Sequence, residues 1–176
     1  SVFGMNRSMC DFSELEEVKK SIDKILSSVD TFKYVFLNAG TLGRLKPAVN
    51  IGISEQKNIF DINFWSNKII IDSIINSRKS KTIIAISSGA ANKSYFGWSS
   101  YCCSKSALKQ LMSCYGDENT DMRFLSLAPG VVKTRMQDII YTYDETEIPS
   151  VKKFKEMYDT MQTPRECAEK ILTNIK

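Results

Sequence analysis

The feature of this chain that most constrains its fold is an alternation of short strand-like segments with longer helical ones. Strands are predicted over 34–37, 82–86 and 123–128, the first two as continuous apolar runs. The intervening helices are predicted over 14–27, 54–77 and 99–115. Strands that are apolar on both faces are typical of a buried parallel sheet. The alternation therefore predicts an α/β fold with a doubly wound parallel sheet.

The two ends of the chain carry further signals. Residues 1–5 are predicted to form a short strand without a partner, and Ser13 with Glu16 predicts a capping box for the first helix. Residues 131–150 show no period and are predicted to be irregular. A last helix is indicated by a capping threonine, a proline and a glutamate, at Thr163, Pro164 and Glu166. No linker or repeat divides the sequence, so we expect one domain over 1–176.

Composition and charge exclude several classes of protein. The 176 residues include 24 basic and 20 acidic side chains, a net charge of +4, and these are scattered. We therefore expect no nucleic-acid partner, and no apolar run approaches the roughly 18 residues that span a bilayer. The absence of histidine excludes Ser-His-Asp catalysis and histidine-bound zinc, and no metal site is expected. Five cysteines without a C-x-x-C motif predict reduced thiols in a cytoplasmic protein.

Polar residues follow each of the predicted strands. Asn38 comes after the first strand, Ser87 and Ser88 after the second, and the turn Pro129-Gly130 after the third. In open α/β sheets, ligands bind beyond the carboxyl ends of the strands. The sequence therefore predicts a ligand site where these residues lie.

Tyr101 and Lys105 are the residues with the clearest chemical potential. They are one turn apart on the predicted helix, so they share a face. A phenol has a pKa near 10, and a nearby ammonium is expected to lower the pKa of Tyr101. Tyr101 could then act as a general acid toward a carbonyl oxygen. A serine hydroxyl could hold that oxygen in place.

Several motifs together resemble the short-chain dehydrogenase/reductase family. Asn38-Ala39-Gly40 is similar to its N-A-G turn and Asn63 to its helix asparagine. Ser88, Tyr101 and Lys105 are similar to its serine and Y-x-x-x-K motif. A proline–glycine turn with a following valine and threonine is also similar, at Pro129, Gly130, Val132 and Thr134. The resemblance implies a Rossmann-like fold.

The resemblance also implies a role for each of these residues. Tyr101 would be the proton donor, and Ser88 rather than Ser87 would orient the carbonyl. Lys105 would lower the pKa of Tyr101 and bind the nicotinamide ribose. Asn63 would hold a relay water, although an interior amide bonded to the backbone is the alternative. Cofactor contacts are implied for Asn38, Ala39, Gly40, Tyr101, Lys105, Pro129, Gly130, Val132 and Thr134.

The cofactor implied by the resemblance is NADP(H). Arg7 lies where family members meet the adenosine ribose, and an arginine there suits a 2′-phosphate, whereas NAD binders place an acid. A plain surface arginine is the alternative. Asp11 resembles the acidic residue that meets the adenine amine, or it belongs to the start of the helix.

The sequence also departs from the family pattern. The glycine-rich loop with its strand and helix should precede Ser1, and the chain has only 8 glycines. The stretch from Arg7 to Asp11 is too short for the usual second helix and third strand, with the break expected between 8 and 9. The chain is therefore expected to be part of a longer protein or a degenerate relative. The intact set of Ser88, Tyr101 and Lys105 favours the first.

The expected activity is NADPH-dependent reduction of a ketone or vicinal diketone to an alcohol. Gly97-Trp98 and Cys102 resemble the subgroup of sepiapterin reductase and bacterial benzil reductase. The alternatives are a non-catalytic nucleotide-binding or scaffold protein and a 3-oxoacyl thioester reductase. Family members pair through two long helices, so we also expect a homodimer through 54–77 and 99–115.

Overall fold

The computed structural model describes residues 2–6 and 8–175, and it confirms the parallel α/β sheet. The strands are β1 (Val35–Leu37), β2 (Thr82–Ile86) and β3 (Arg123–Leu127). They pair in parallel in the order β1-β2-β3, with β2 in the centre. All three strands therefore end at the same edge of the sheet, where the polar residues named above follow them.

Helices alternate with the strands. They are α1 (Leu15–Ser27), α2 (Ile53–Phe60), α3 (Ser66–Ser77), α4 (Ser99–Glu118), α5 (Arg135–Thr142), α6 (Lys152–Glu156) and α7 (Pro164–Asn174). The helix predicted over 54–77 is a continuous helical unit over 53–77, in which one π-helical turn, Asp61–Trp65, joins α2 to α3. In the part of the chain that the structure describes, no helix is both long and apolar enough to cross a bilayer.

Two apolar clusters hold these elements together. The first lies between the sheet and the helices α1, α3 and α4, and it includes Val18, Ile71, Ile83 and Leu108, all essentially buried. The second packs Trp98 and Tyr101 of the α4 region against residues of α5 and α6, among them Ile140 and Phe154. The second cluster therefore forms one wall beside the carboxyl ends of the strands.

The predicted strand over 1–5 is wrong within the described residues, since 2–6 has no strand pairing. Phe3 instead packs its ring edge-on against Phe32, with centroids 6.2 Å apart. Within the sheet, β1 pairs only with β2, so the described residues 2–6 form no ladder of backbone hydrogen bonds with β1. Side-chain contact alone does not make a strand.

Two further local predictions also need correction. Residues 131–150 are not irregular throughout, because α5 lies within them. The predicted capping box of α1 is absent: Ser13 donates its hydroxyl to Asp11 at 2.8 Å, and none of the described side chains caps the helix. The capping box of α7 is confirmed. Thr163 Oγ1 accepts the Glu166 N–H at 3.2 Å, and the Glu166 carboxylate accepts the Thr163 N–H at 2.7 Å.

Candidate active site

Helix α4 carries Tyr101 and Lys105 on its buried face. Tyr101 is 6% exposed and Lys105 is 5% exposed. The ammonium lies 5.9 Å from the centroid of the Tyr101 ring, as their spacing of one turn predicts. It donates a hydrogen bond to the carbonyl oxygen of Ile86, the last residue of β2, at 2.9 Å. The pair is therefore anchored at the carboxyl end of the central strand.

Burial dominates the protonation of both groups. It lowers the pKa of Lys105 from 10.5 to about 8, because a charged ammonium loses its hydration there. It also raises the pKa of Tyr101, and the nearby Ser88 hydroxyl opposes this increase only in part. The net pKa shift of Tyr101 is therefore upward, and the lowering expected from Lys105 stays a prediction. At 5.9 Å from the ring, the ammonium does not outweigh the desolvation of the phenol.

Ser88 is the serine that faces Tyr101. It follows β2, and its hydroxyl accepts the N–H of Ala90 at 3.1 Å, which orients its side chain at the start of a short 3₁₀ turn. Its neighbour Ser87 instead extends the sheet through its backbone, donating to the Leu127 carbonyl oxygen at 2.7 Å. The interaction with Tyr101 distinguishes Ser88 from Ser87.

Asn63 lies in the middle of the π turn and is completely buried. Its side-chain amide donates to the Thr41 carbonyl oxygen at 2.8 Å and to Ser104 Oγ at 3.0 Å. Its side-chain oxygen accepts the Thr41 N–H at 2.7 Å. Ser104 in turn donates to the Tyr101 carbonyl oxygen at 2.9 Å. Asn63 therefore joins the loop after β1 to the helix that carries Tyr101 and Lys105.

A cleft of about 1740 Å³ runs beside β1. Asn38, Ala39 and Gly40 line it, and so does Asp11. A methyl group at Gly40 would lie 3.4 Å from Lys105 Nζ, so the Gly40 turn lies directly against the ammonium. Ser88, Tyr101 and Lys105 do not themselves line the cleft; they lie behind the Gly40 turn.

The two residues predicted to meet the adenosine end have different outcomes. Arg7 lies outside the described residues. Asp11 is part of the approach to α1, where its carboxylate accepts the Ser13 N–H at 2.9 Å as well as the Ser13 hydroxyl. Asp11 therefore has the helix-start role that the sequence left open, and it also lines the cleft.

The turn after β3 has a tightly defined conformation. Gly130 has a φ of +80°, which favours glycine. Val132 forms an isolated parallel bridge with Gln162. Thr134 precedes α5, and its carbonyl oxygen accepts the Gln137 N–H at 2.8 Å. None of Pro129, Gly130, Val132 and Thr134 lines the large cleft, although Arg135, the first residue of α5, does.

Sequence reasoning missed several residues that support the site. Asn67 donates its amide to the Asn63 carbonyl oxygen at 2.9 Å, and its spacing of four residues from Asn63 was the available signal. Tyr143 accepts the Leu45 N–H with its hydroxyl at 3.0 Å, which ties the end of α5 to the loop after β1. That contact joins segments far apart in the chain, so no local sequence pattern could have predicted it.

The parallel sheet with its flanking helices is a Rossmann-like α/β fold. The family profile described as "short chain dehydrogenase" matches residues 6–144, so the chain belongs to the short-chain dehydrogenase family. This family uses NAD(P) nucleotides and acts on small molecules.

Individual relatives agree with the family. Benzil reductase ((S)-benzoin forming) of Bacillus subtilis is 27% identical over 169 residues, covering 89% of this chain and 69% of its own length. Sepiapterin reductase of Rattus norvegicus is 35% identical over 109 residues, covering 58% of this chain and 42% of its own length. The crystal structure of the KRED1-Pglu enzyme superimposes with a TM-score of 0.81 at 25% identity, covering 90% of this chain and 69% of that one. The chain thus spans about two thirds or less of the proteins it resembles.

Proposed function

We propose that this chain carries the catalytic part of an NADPH-dependent carbonyl reductase that converts a ketone or vicinal diketone into an alcohol. The observation that supports this most is the convergence of Ser88, Tyr101 and Lys105 at the carboxyl end of β2. The similarity to benzil and sepiapterin reductases supports the same class of carbonyl substrate.

Tyr101 is proposed as the proton donor. The phenol of Tyr101 carries its proton at neutral pH, as the donor in a reduction must, although the burial that raises its pKa makes it a weaker acid. Ser88 is proposed to donate its hydroxyl proton to the same carbonyl oxygen. Its position beside the Tyr101 phenol would fix the carbonyl and stabilise the negative charge that develops on its oxygen.

The residues beside the cleft suit a nicotinamide nucleotide. The absence of a side chain at Gly40 leaves the Lys105 ammonium close to the cleft, where it could bind a ribose hydroxyl. Asn38 and Ala39 would contact the nucleotide near that ribose. Its nicotinamide end would be held by the turn after β3, with Pro129, Gly130, Val132 and Thr134. When bound, the nucleotide supplies the hydride that reduces the carbonyl carbon.

The preference for NADPH over NADH is proposed from Arg7 alone. Its guanidinium would pair with a 2′-phosphate, which NADH lacks. Asp11 would meet the adenine amine from the wall of the cleft. Asn63 is proposed, from the family resemblance alone, to support a water relay from Lys105. Its side-chain amide is bonded to Thr41 and Ser104, as in the alternative of an interior amide bonded to the backbone.

The protein is further proposed to act in the cytoplasm as a homodimer, through the helix pair formed by α4 and the continuous unit 53–77. Both statements come from composition and from the family resemblance. Trp65, in the π turn of the unit 53–77, is an exposed apolar side chain that could take part in such a contact.

The proposed activity is tested by following NADPH oxidation with 1-phenyl-1,2-propanedione, and with an acetoacetyl thioester as the competing substrate class. We expect turnover of the diketone, faster with NADPH than with NADH. Tyr101→Phe should lower kcat by at least about a hundredfold, the low end of a general acid's contribution, with little change in NADPH affinity. Tyr141→Phe, at an exposed tyrosine, is the matched control and should leave kcat unchanged.

Three results would contradict parts of this proposal. Turnover of the thioester alone would indicate a 3-oxoacyl reductase. Binding of NADPH without any turnover would indicate a nucleotide-binding scaffold. Full activity of Tyr101→Phe would remove Tyr101 as the proton donor.

A further inference from the structure

Gln162 connects the C-terminal part of the chain to the turn after β3. Its side-chain nitrogen donates to the Pro129 carbonyl oxygen at 2.5 Å. The backbone carbonyl oxygen of Gln162 accepts the Lys133 N–H at 2.9 Å, and Gln162 forms an isolated parallel β-bridge with Val132. One residue thus bonds both ends of the segment 129–133. No other described side chain outside that segment hydrogen-bonds to its backbone except Cys167, whose thiol lies 4.0 Å from the Pro129 oxygen.

The orientation of the Gln162 amide follows from its two side-chain contacts. Lys170 lies two turns further on, and its ammonium donates to Gln162 Oε1 at 3.2 Å. Because an ammonium can only donate, Oε1 must face Lys170 and Nε2 must face Pro129. Both the oxygen and the nitrogen of the side-chain amide are therefore hydrogen-bonded, and Gln162 is the donor in the bond to Pro129.

Gln162 directly precedes the start of α7, which several capping features stabilise. Thr163, the next residue, closes the capping box of α7 with Glu166, and Pro164 occupies the first helical position. These features stabilise the start of α7 and so fix the backbone that carries Gln162. Gln162 acts as an extension of α7 that reaches the turn.

The turn is packed directly on this side chain. A methyl group at Gly130 would lie 3.3 Å from Gln162 Nε2, tighter than ordinary van der Waals contact. Gly130 also has its φ of +80°, so a side chain there would be strained for two reasons. The backbone from Pro129 to Lys133 therefore packs closely against the side chain of Gln162.

We infer that Gln162 is a positioning residue, which sets the conformation of the turn 129–133 and through it the affinity for the nicotinamide nucleotide. The inference rests on the proposed function, in which Pro129, Gly130 and Val132 contact that nucleotide. Gln162 itself need not touch the cofactor, because it acts on the turn through the Pro129 oxygen.

Two substitutions test this inference. Gln162→Met keeps the length of the side chain but removes the donor, and Gln162→Glu can still pair with Lys170 but presents a carboxylate to the Pro129 oxygen. We expect Gln162→Met to raise the Kd for NADPH about five- to tenfold, the effect of losing one hydrogen bond. Gln162→Glu should raise it further, because its carboxylate repels the carbonyl. Gln110→Met, at an exposed glutamine of α4, is the matched control.

Three readouts separate positioning from general stability. NADPH affinity is measured by fluorescence titration, backbone amide exchange is measured over 129–133, and the melting temperature is measured for each variant. We expect faster exchange at Gly130–Lys133 and weaker binding, with kcat at saturating NADPH and diketone within about twofold of the wild type.

The outcomes distinguish this inference from the proposed function. If the wild type binds NADPH and both Gln162 variants bind it equally well, the inference is wrong and the proposed function stands. Faster exchange with unchanged affinity also overturns it. If the wild type binds no NADPH, the proposed function fails together with the cofactor part of the inference, and the exchange rates alone decide whether Gln162 shapes the turn.

Discussion

The buried ammonium of Lys105 is costly to the folded chain. Its bond to the Ile86 carbonyl oxygen replaces part of its hydration, but burial still lowers its pKa from 10.5 to about 8. This difference corresponds to roughly 3 kcal/mol between folded and unfolded chains. Since the folded chain binds this proton more weakly, the cost is full below pH 8 and disappears as the pH rises from 8 to 10.5.

Replacing this lysine should therefore stabilise the protein while abolishing the activity proposed above. Lys105→Met should raise the free energy of unfolding at pH 7 by about 1–3 kcal/mol, less than the full cost because the Ile86 carbonyl oxygen loses its donor. Urea unfolding at pH 7 and pH 10 measures the difference, which should shrink at the higher pH. Lys109→Met, at an exposed lysine one turn further along α4, controls for general charge effects. A variant less stable than the wild type at pH 7 would contradict the argument.

At the scale of elements, the π turn between α2 and α3 contains a buried carbonyl oxygen, that of Asn63, to which Asn67 donates a hydrogen bond. A π turn widens the helix locally and disturbs the regular pattern of backbone hydrogen bonds. The Asn63 carbonyl oxygen lies within this turn and accepts the Asn67 amide at 2.9 Å. Asn67 is itself 1% exposed, so neither group can turn to water instead.

Removing the Asn67 amide should therefore destabilise the protein. Asn67→Leu has a similar volume but no donor, and we expect it to lower the free energy of unfolding by about 1–3 kcal/mol, the cost of an unsatisfied buried group. Asn76→Leu, at an exposed position of the same helix, should change it by less than about 0.5 kcal/mol. Urea unfolding of both variants makes the comparison. Equal effects at the two positions would show that the Asn63 contact contributes nothing.

An element could be predicted from the sequence where the residues that define it lie close together in the chain. The start of α7 was predictable because Thr163, Pro164 and Glu166 act on one another within one turn. The cap of α1 was not, because Asp11, just outside the predicted box, takes the Ser13 hydroxyl. Helix α5 was missed because it is short and amphipathic without a long apolar stripe. Met136 and Ile140 face the core, whereas Ile139 and Tyr141 are exposed.

At the scale of the whole molecule, the candidate site is assembled from segments far apart in the chain. The spacing of Tyr101 and Lys105 and the polar ends of parallel strands predicted that these residues would meet, because both rules follow from backbone geometry. The sequence does not show how deeply the phenol of Tyr101 is buried, so it could not predict that burial raises the pKa of this group. The contacts of Gln162 and Tyr143 are long-range, so only the folded chain reveals them.

The proposed homodimer can be tested through one exposed aromatic residue. Trp65 lies in the π turn on the proposed helix pair and is 44% exposed, and Leu172 on α7 is 46% exposed but lies outside the pair. Sedimentation velocity should find a dimer for the wild type. Trp65→Glu should shift it toward monomer, because a buried charge without a partner opposes association, whereas Leu172→Glu should leave the dimer intact. A monomeric wild type would refute the proposed dimer. A dimer that only Leu172→Glu disrupts would instead place the interface on α7, beside the helix that supports Gln162 and its turn.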